Sequence, residues 1–515
     1  MKSPSQKRST AADKKRSALE RMSLFLQPGP SGSSAKWSAM QSEYMLEIFR
    51  TAASHVPAYR TFLKERGTLS RTVNSIADFK KVPPMSKDNY LRKSAWEDLI
   101  LPGALAGKPL VLSATSGSTG KPFYFPRTGA TDEQSYVYHR TFLENSGLNP
   151  KEPTLVIVAF GMGVWIGGII TYEAFKRISD RDFPLTILTP GVNKKEIFEA
   201  LREIGPQYTQ LILCGYPPFV KDVIDDGPEN GVTWKHFDMR VVCAAEGFSE
   251  EFRDYLMRKT GMKNPHRDVM NIYGSAELGT MATETPLSIL IRHLSIAHPA
   301  LFPALFSDAT RLPTLAQFVP SFVSFEAVDN RIYATAGSAL PLVRFDIGDH
   351  GGVLTYSEVK RICAAEGIDL KAEIKKAGIA DTVRELPFVY VYERADLSTK
   401  LYGAIIFPEH IRHGLHSAEL EPFVTGKFTM FTKHAENQDE YLEVNVELKD
   451  SVDGTHEIIA QIGLAIKQSL MQKSTEYHYL VGAMKDRVNP RVITWAHNHA
   501  EHFAHGTKHK WVKKA

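Results

Sequence analysis

Apolar and polar positions alternate with different periods along the chain. From Lys36 to Leu112 the apolar residues recur mostly at helical spacing, interrupted by P-P-M-S-K at Pro83 to Lys87. Paired prolines there predict a turn with an N-cap serine behind it. P-L-V-L-S-A (Pro109 to Ala114) and F-Y-F-P-R (Phe123 to Arg127) read as two strands joined by a loop. Beyond Pro153, T-L-V-I-V-A-F, L-T-I-L-T, Q-L-I-L-C, R-V-V-C-A and V-M-N-I-Y are short apolar runs that predict buried strands. Between them, K-K-E-I-F-E-A-L-R-E-I, P-P-F-V-K-D-V-I-D and S-E-E-F-R-D-Y-L-M-R are helical in period. Strands alternating with helices of this length predict a parallel sheet covered on both faces.

After Thr280 a proline-broken apolar stretch runs to Val323, and R-I-Y-A-T-A and P-L-V-R-F-D then predict a small β subdomain. A helical insert, Tyr356 to Glu385, precedes F-V-Y-V-Y. F-T-M-F-T, Y-L-E-V-N-V-E-L and the helix I-I-A-Q-I-G-L-A-I-K-Q-S-L predict a separate α+β unit beginning near Asp396. The expected fold is therefore α/β: a large N-terminal domain of doubly wound β-sheets with a small β subdomain (37–395), and a smaller mobile α+β C-terminal domain (396–515).

A chain of 515 residues exceeds one hydrophobic core, in keeping with that division. Its 62 basic and 58 acidic residues leave a net charge of +4, which points to no nucleic-acid partner. Residues 1–36 are basic and read as a disordered arm without the apolar segment of a signal peptide or membrane span. Cys214, Cys243 and Cys363 are far apart and form no C-x-x-C pair, so a reducing, cytoplasmic setting is expected.

The loop between the first two strands reads S-A-T-S-G-S-T-G-K-P, Ser113 to Pro122. Glycines let backbone N–H groups converge on a phosphate, and hydroxyls and a lysine add donors. It is no P-loop of the ATPase kind, since the residue five before Gly120 is Thr115 and Lys121 is followed by Pro122. A second run, F-G-M-G-V-W-I-G-G (Phe160 to Gly168), has Ile166 where a dinucleotide fingerprint requires its third glycine. Its glycines are expected to permit close approach to a substrate.

T-S-G-S-T-G-K-P resembles the phosphate loop of the adenylate-forming superfamily, the acyl-CoA synthetases and their relatives. N-I-Y-G-S-A-E (Asn271 to Glu277) resembles the same superfamily's Y-G-x-x-E motif, A-A-E-G (Ala244 to Gly247) its adenine-packing segment, and L-P-L-V-R-F-D-I-G-D (Leu340 to Asp349) its R-x-x-x-G-D motif. E-R-A-D-L-S-T-K-L-Y-G-A-I-I-F-P-E-H-I, Glu393 to Ile411, is similar to its hinge motif, matching at Arg394, Asp396, Lys400, Gly403, Pro408 and Ile411. Glu393 stands where glycine is usual. The P-P-M-S-K lead-in and R-F-D-I-G-D look most like the phenylacetate-CoA ligase branch.

The resemblance implies an enzyme that joins a carboxylic acid, aromatic or otherwise hydrophobic, to ATP as an acyl-adenylate and then passes the acyl group to CoA. A carrier-protein thiol or an amine is the alternative acceptor, and a nucleotide-binding scaffold without catalysis the alternative of another class. Thr115, Ser116, Gly117, Ser118, Thr119, Gly120 and Lys121 would hold phosphates. Ala245, Glu246, Gly247, Asn271, Tyr273, Gly274, Ser275, Asp349 and Arg394 would hold the remaining AMP portion, with Asp349 on the ribose hydroxyls. Glu277 would ligate Mg²⁺, a hard cation that favours carboxylate oxygen. Lys508, with Lys510 as rival, would neutralise the α-phosphate, and Thr119, Glu277 and Lys508 make the implied catalytic set. Asp396 would be the hinge.

Phe160 and Trp165 are candidates for an acyl pocket, although apolar residues beside a buried strand also read as core. His497, His499, His502 and His505 lack an accompanying Cys or carboxylate pattern and remain unassigned. Partners are expected to be the acid and CoA, with no nucleic acid or membrane span; a homodimer is implied by analogy with relatives.

Overall fold

The computed structural model describes residues 33–107, 110–114, 123–162, 166–307, 312–392, 399–401, 404–435 and 440–503. Its first helix, Ser34–His55, takes in the last three residues of the expected basic arm, because Ser33 caps it by accepting a hydrogen bond from the Lys36 amide. Trp37, Met45, Ile48, Phe49 and Ala52 give it one buried stripe.

Strands β1 (Val111–Ala114) and β2 (Tyr124–Arg127) form an antiparallel pair, as expected for the arms of the hydroxyl-rich loop. The main sheet has eleven strands. β3 (Thr154–Ala159), β4 (Leu185–Leu188), β5 (Gln210–Gly215), β6 (Asp238–Ala244) and β7 (Val269–Ser275) are its parallel half, in the order β4-β3-β5-β6-β7. Alternate side chains serve opposite faces. Leu155, Ile157, Leu211 and Leu213 pack under helices Lys194–Glu203, Pro217–Asp226 and Glu250–Thr260. Val156, Val158 and Ile212 pack under helices Gly129–Ser146 and Ile166–Arg181. This is the doubly wound layering the alternation predicts.

The antiparallel half comprises β8 (Gly279–Thr283), β9 (Thr314–Gln317), β10 (Ser324–Val328), β11 (Arg331–Ala336), β12 (Leu342–Leu354) and β13 (Phe388–Tyr392), in the order β8-β9-β13-β12-β11-β10. The strands read as a small β subdomain thus continue the same sheet through β7 and β8. The apolar stretch after Thr280 is β8 followed by the helix Pro286–Ala297, capped by Thr285 and Ser288 reciprocally. Its periodicity is hard to read because Leu287, Ile289, Leu290, Ile291 and Leu294 are all buried.

The N-terminal helices close over β10–β12. Gln41 donates from Nε2 to the Phe325 carbonyl at 2.8 Å, and the Tyr44 hydroxyl donates to the Phe322 carbonyl at 3.0 Å. Beyond residue 399 a further core, including Leu401, Ile411, Phe428, Val444 and Ile466, joins the hairpin β14 (Thr399–Leu401) and β15 (Ala404–Ile406) to a three-stranded sheet. That sheet contains β16 (Val424–His434), β17 (Glu440–Leu448) and β18 (Arg491–Trp495), β18 running parallel to β17. The proposed boundary at Asp396 lies outside the described residues.

Candidate active site

At the C-terminal end of β7 the parallel half of the sheet stops and the chain turns back into β8. Gly274 permits that return, since a Cβ there would lie 2.8 Å from the Gly279 carbonyl oxygen. The turn presents Glu277, whose side chain is only 6% exposed and whose Oε1 lies 2.5 Å from the Lys87 ammonium. Lys87 belongs to P-P-M-S-K. Met85 in that segment donates its amide to the Arg344 carbonyl at 3.2 Å and accepts from the Asp346 amide at 2.8 Å. Ser86 and Asn89 cap each other reciprocally, which fixes the turn the prolines predict.

β12 carries the third group. The Tyr273 hydroxyl donates to Asp349 Oδ2 at 2.6 Å, tying β7 to the end of R-F-D-I-G-D. Arg344 has a φ of 48° in this bulged strand. Its guanidinium donates to the Lys80 and Val82 carbonyls at 2.6 and 2.5 Å, anchoring the chain that leads into P-P-M-S-K. Glu277, Tyr273 and Asp349 are thus brought together, and Lys87 is the member that sequence reasoning passed over. The lead-in prolines drew notice, but the lysine three residues beyond them carried no assigned role.

The A-A-E-G segment follows β6. Ala245 is exposed and sits at φ 77°, a left-handed conformation normally left to glycine. The Asn271 side-chain amide donates to the Glu246 carbonyl at 3.0 Å, fixing this turn against β7. The Arg412 guanidinium, from the C-terminal helix Pro408–Leu415, reaches the Gly247 carbonyl at 3.4 Å.

Behind this turn lies a buried network of two arginines and two glutamates. Arg253 contacts Glu250 at 2.7 Å and Glu284 at 2.9 Å; Arg292 contacts Glu250 at 2.9 Å and Glu284 at 2.5 Å. Glu284 also accepts the Asn271 amide at 3.0 Å, and Arg292 donates to the Phe248 carbonyl at 2.9 Å. Burial alone would push the Glu250 pKa up, but Arg253 and Arg292 hold it well below its ordinary value. His293 binds Glu250 at 2.8 Å, and its neighbour His266 is pushed down to about 4 by burial and by the His293 charge. Charged residues in a sequence read as surface, so this support carried no readable signal.

The remaining calls divide sharply. Thr115, Ser116, Gly117, Ser118, Thr119, Gly120, Lys121, Trp165, Arg394, Asp396, Lys508 and Lys510 lie outside the described residues. Both arms of the hydroxyl-rich loop nevertheless border the cleft that Glu277 lines, through Ser113 on β1 and Phe125 and Arg127 on β2. Phe160 is wholly buried, edge-on to Tyr216 at 5.3 Å. The glycines after it serve packing at one point at least: a Cβ on Gly168 would lie 2.7 Å from the Gly161 carbonyl oxygen. Trp495 stacks on His502 at 4.0 Å, and among the described residues no group of three His, Cys, Asp or Glu is placed to hold a metal ion. Among them, too, no helix is long and apolar enough to cross a membrane.

The C-terminal unit docks on the helices beneath the A-A-E-G turn. Lys427 bridges Asp222 at 2.7 Å and Glu447 at 3.3 Å, and Lys259 pairs with Glu421. The His416 ring lies 5.7 Å from Phe252 and 6.5 Å from Tyr255. Burial, then Lys221, Arg412 and His413, drives its pKa well below the ordinary histidine value.

The chain matches no family model and no curated protein sequence. It is similar to solved structures of a 2-hydroxyisobutyryl-CoA ligase. In the postadenylation state with 2-HIB-AMP the TM-score is 0.65 at 16% identity, covering 95% of this chain and 91% of the other. With R3-HIB-AMP in the same state the values are 0.65, 15%, 94% and 91%. Against that ligase with 2-HIB-AMP and CoA in the thioesterification state the TM-score is 0.53 at 15% identity, covering 94% and 91%. The sheet order, the separate C-terminal core and this likeness over nearly the whole chain establish that the protein has the fold of the adenylate-forming acyl-CoA ligases.

Proposed function

We propose that the protein is an ATP-dependent acid–thiol ligase acting through an acyl-adenylate. The observation that carries this reading is the linkage of Lys87–Glu277 to Tyr273–Asp349 across the junction of the two half-sheets. The turn after β7 thereby offers a carboxylate suited to Mg²⁺, and β12 offers another suited to a vicinal diol. In the first half-reaction a carboxylate oxygen of the acid attacks the α-phosphorus of ATP, the bond to the β-phosphate oxygen breaks, and pyrophosphate leaves. In the second, the CoA thiol attacks the acyl carbon, its proton passes to solvent, and AMP leaves. The acid is already ionised near neutral pH, so alignment and charge neutralisation suffice without a general base.

Glu277 fits a magnesium ligand: it is a nearly buried carboxylate whose present cationic neighbour is a flexible lysine ammonium. Bound Mg²⁺ would neutralise phosphate charge. Lys508 is our choice for the α-phosphate cation and Asp396 for the hinge, both on the resemblance of their motifs. The greater likeness to the postadenylation state than to the thioesterification state supports an adenylation-type placement of the C-terminal unit. The resemblance of the P-P-M-S-K lead-in and of R-F-D-I-G-D is what supports the phenylacetate-CoA ligase-like branch. Three buried free cysteines support a cytoplasmic setting.

The test is acid-stimulated exchange of pyrophosphate into ATP, followed by CoA-dependent AMP release. Glu277→Gln should lower exchange at least 100-fold while leaving the unfolding midpoint close to that of the parent. Exchange in the parent without CoA-dependent AMP release would assign another acceptor, and no exchange with any acid would leave a nucleotide-binding scaffold.

A further inference from the structure

The seam between the C-terminal unit and the helices of the main sheet is held mainly by charge. The apolar cluster under helices Lys194–Glu203, Pro217–Asp226 and Glu250–Thr260 shares no residue with the apolar cluster of the C-terminal unit. Across the seam Lys427 pairs with Asp222 at 2.7 Å, Lys259 pairs with Glu421, and the His416 ring meets Phe252 and Tyr255. This composition resembles that of separable partners, not of an obligate interface. A local irregularity aims Lys427. Strand β16 shifts register against β17 between Val424 and Phe428, and Gly426 within that bulge has a φ of +84°. A Cβ there would lie 2.9 Å from His416 Nε2, so the position admits no side chain.

The two carboxylates on Lys427 differ. Glu447 belongs to the same unit, is wholly buried, and also accepts from Thr425 Oγ1 at 2.7 Å and from the Asn498 amide at 2.8 Å. Asp222 lies across the seam on helix Pro217–Asp226, and among the described residues its only ion pair is with Lys427. Parting of the units would therefore take only Asp222 from Lys427: Glu447, 3.3 Å away, stays with it, and no buried charge is stranded. The opposite surface is built the same way, since Lys221 keeps Asp225 at 2.6 Å on its own helix and Asp225 keeps the Tyr255 hydroxyl.

We propose that Asp222 is a latch for the C-terminal unit: it holds the docked placement through Lys427, whose charge falls back on Glu447 when the unit leaves. This rests on the acid-activation reading and its adenylation-type placement, and it makes Asp222 a positioning residue for the first half-reaction and not for the second. Asp222 acts through the placement of the unit and touches no reacting atom.

The full-length protein, Asp222→Asn and Asp222→Lys are compared by small-angle scattering near neutral pH. Both variants should have a larger radius of gyration than the parent in low salt, Asp222→Lys the larger of the two, and the parent should approach them in about 1 M NaCl, where charges are screened beyond roughly 3 Å. The half-reactions are then read separately. Phenylacetate, benzoate, acetate and octanoate are offered with ATP and Mg²⁺ for pyrophosphate exchange, and the acyl-adenylate of an active acid is offered with CoA for thioester formation. Exchange should fall about threefold in Asp222→Asn and roughly tenfold or more in Asp222→Lys, while thioester formation stays within about twofold of the parent. A general loss of folding would lower both. An unchanged radius of gyration in both variants, or equal loss of the two half-reactions, overturns the latch and leaves adenylation standing. Silence of the parent with every acid overturns the adenylation reading and the part of Asp222 in it, and scattering then decides whether the latch itself stands.

Discussion

Ala245 and Lys87 show how single residues shape the site. Ala245 sits at φ 77° in the turn that Asn271 holds. Replacing it with glycine removes the Cβ clash that makes this region unfavourable, so Ala245→Gly should raise stability by about 0.5–1 kcal/mol instead of lowering it, as read by urea unfolding. Lys87 lies 2.5 Å from Glu277, which is far more buried than the lysine. Lys87→Met should cost about 1–3 kcal/mol by leaving that carboxylate unpaired, and much less in a Glu277→Gln background. Equal costs in the two backgrounds would show that the pair contributes nothing. Glu277 and Asp349 were singled out because Y-G-S-A-E and R-F-D-I-G-D resemble motifs of the adenylate-forming superfamily. Lys87 was not, because its role depends on Met85 pairing with Arg344, across 259 positions of chain.

At the level of elements, strands and helices of the parallel half were readable from period alone, since each alternates faces in a regular layer. The helix Pro286–Ala297 was missed because it is buried on most sides. It carries Arg292 into the network formed with Glu250, Arg253 and Glu284. Glu284→Gln leaves two buried guanidiniums facing one full carboxylate charge and should cost about 3–5 kcal/mol in urea unfolding. The same network sets an acid limit. Glu250 has a folded pKa below its ordinary value of 4.5, so its contribution is complete above that pH and fades as pH falls towards the lower folded value. His139, buried with Nδ1 donating to the Ser135 carbonyl and pushed down to about 4 by burial, acts over an earlier window. Its contribution is complete above 6.5 and is lost progressively as pH falls to about 4. Stability should therefore decline in two stages below pH 6.5, and His139→Gln should make the first shallower without abolishing it, since His266 and His416 are depressed in the same direction.

For the whole molecule, sequence period predicted a second α+β unit but gave no view of how it docks, because docking depends on surfaces that only the folded units create. His416 is neutral between Phe252 and Tyr255, faced by Lys221, Arg412 and His413. Its folded pKa is depressed, so docking is favoured above pH 6.5 and weakens as the ring is forced to take a proton. Small-angle scattering should show a larger radius of gyration at pH 5 than at pH 7.5. His416→Phe should remove most of that change; an equal change in the variant would place the sensitivity elsewhere.

The closure of the first helices over β10–β12 has a consequence for biosynthesis. Gln41 finds its acceptor 284 residues downstream, so a nascent chain emerging from the ribosome carries the apolar stripe of Ser34–His55 uncovered through just over half of translation. At ~5–20 residues per second that wait lasts roughly 15–60 seconds, a period in which chaperone shielding, more than final stability, decides the yield of soluble protein.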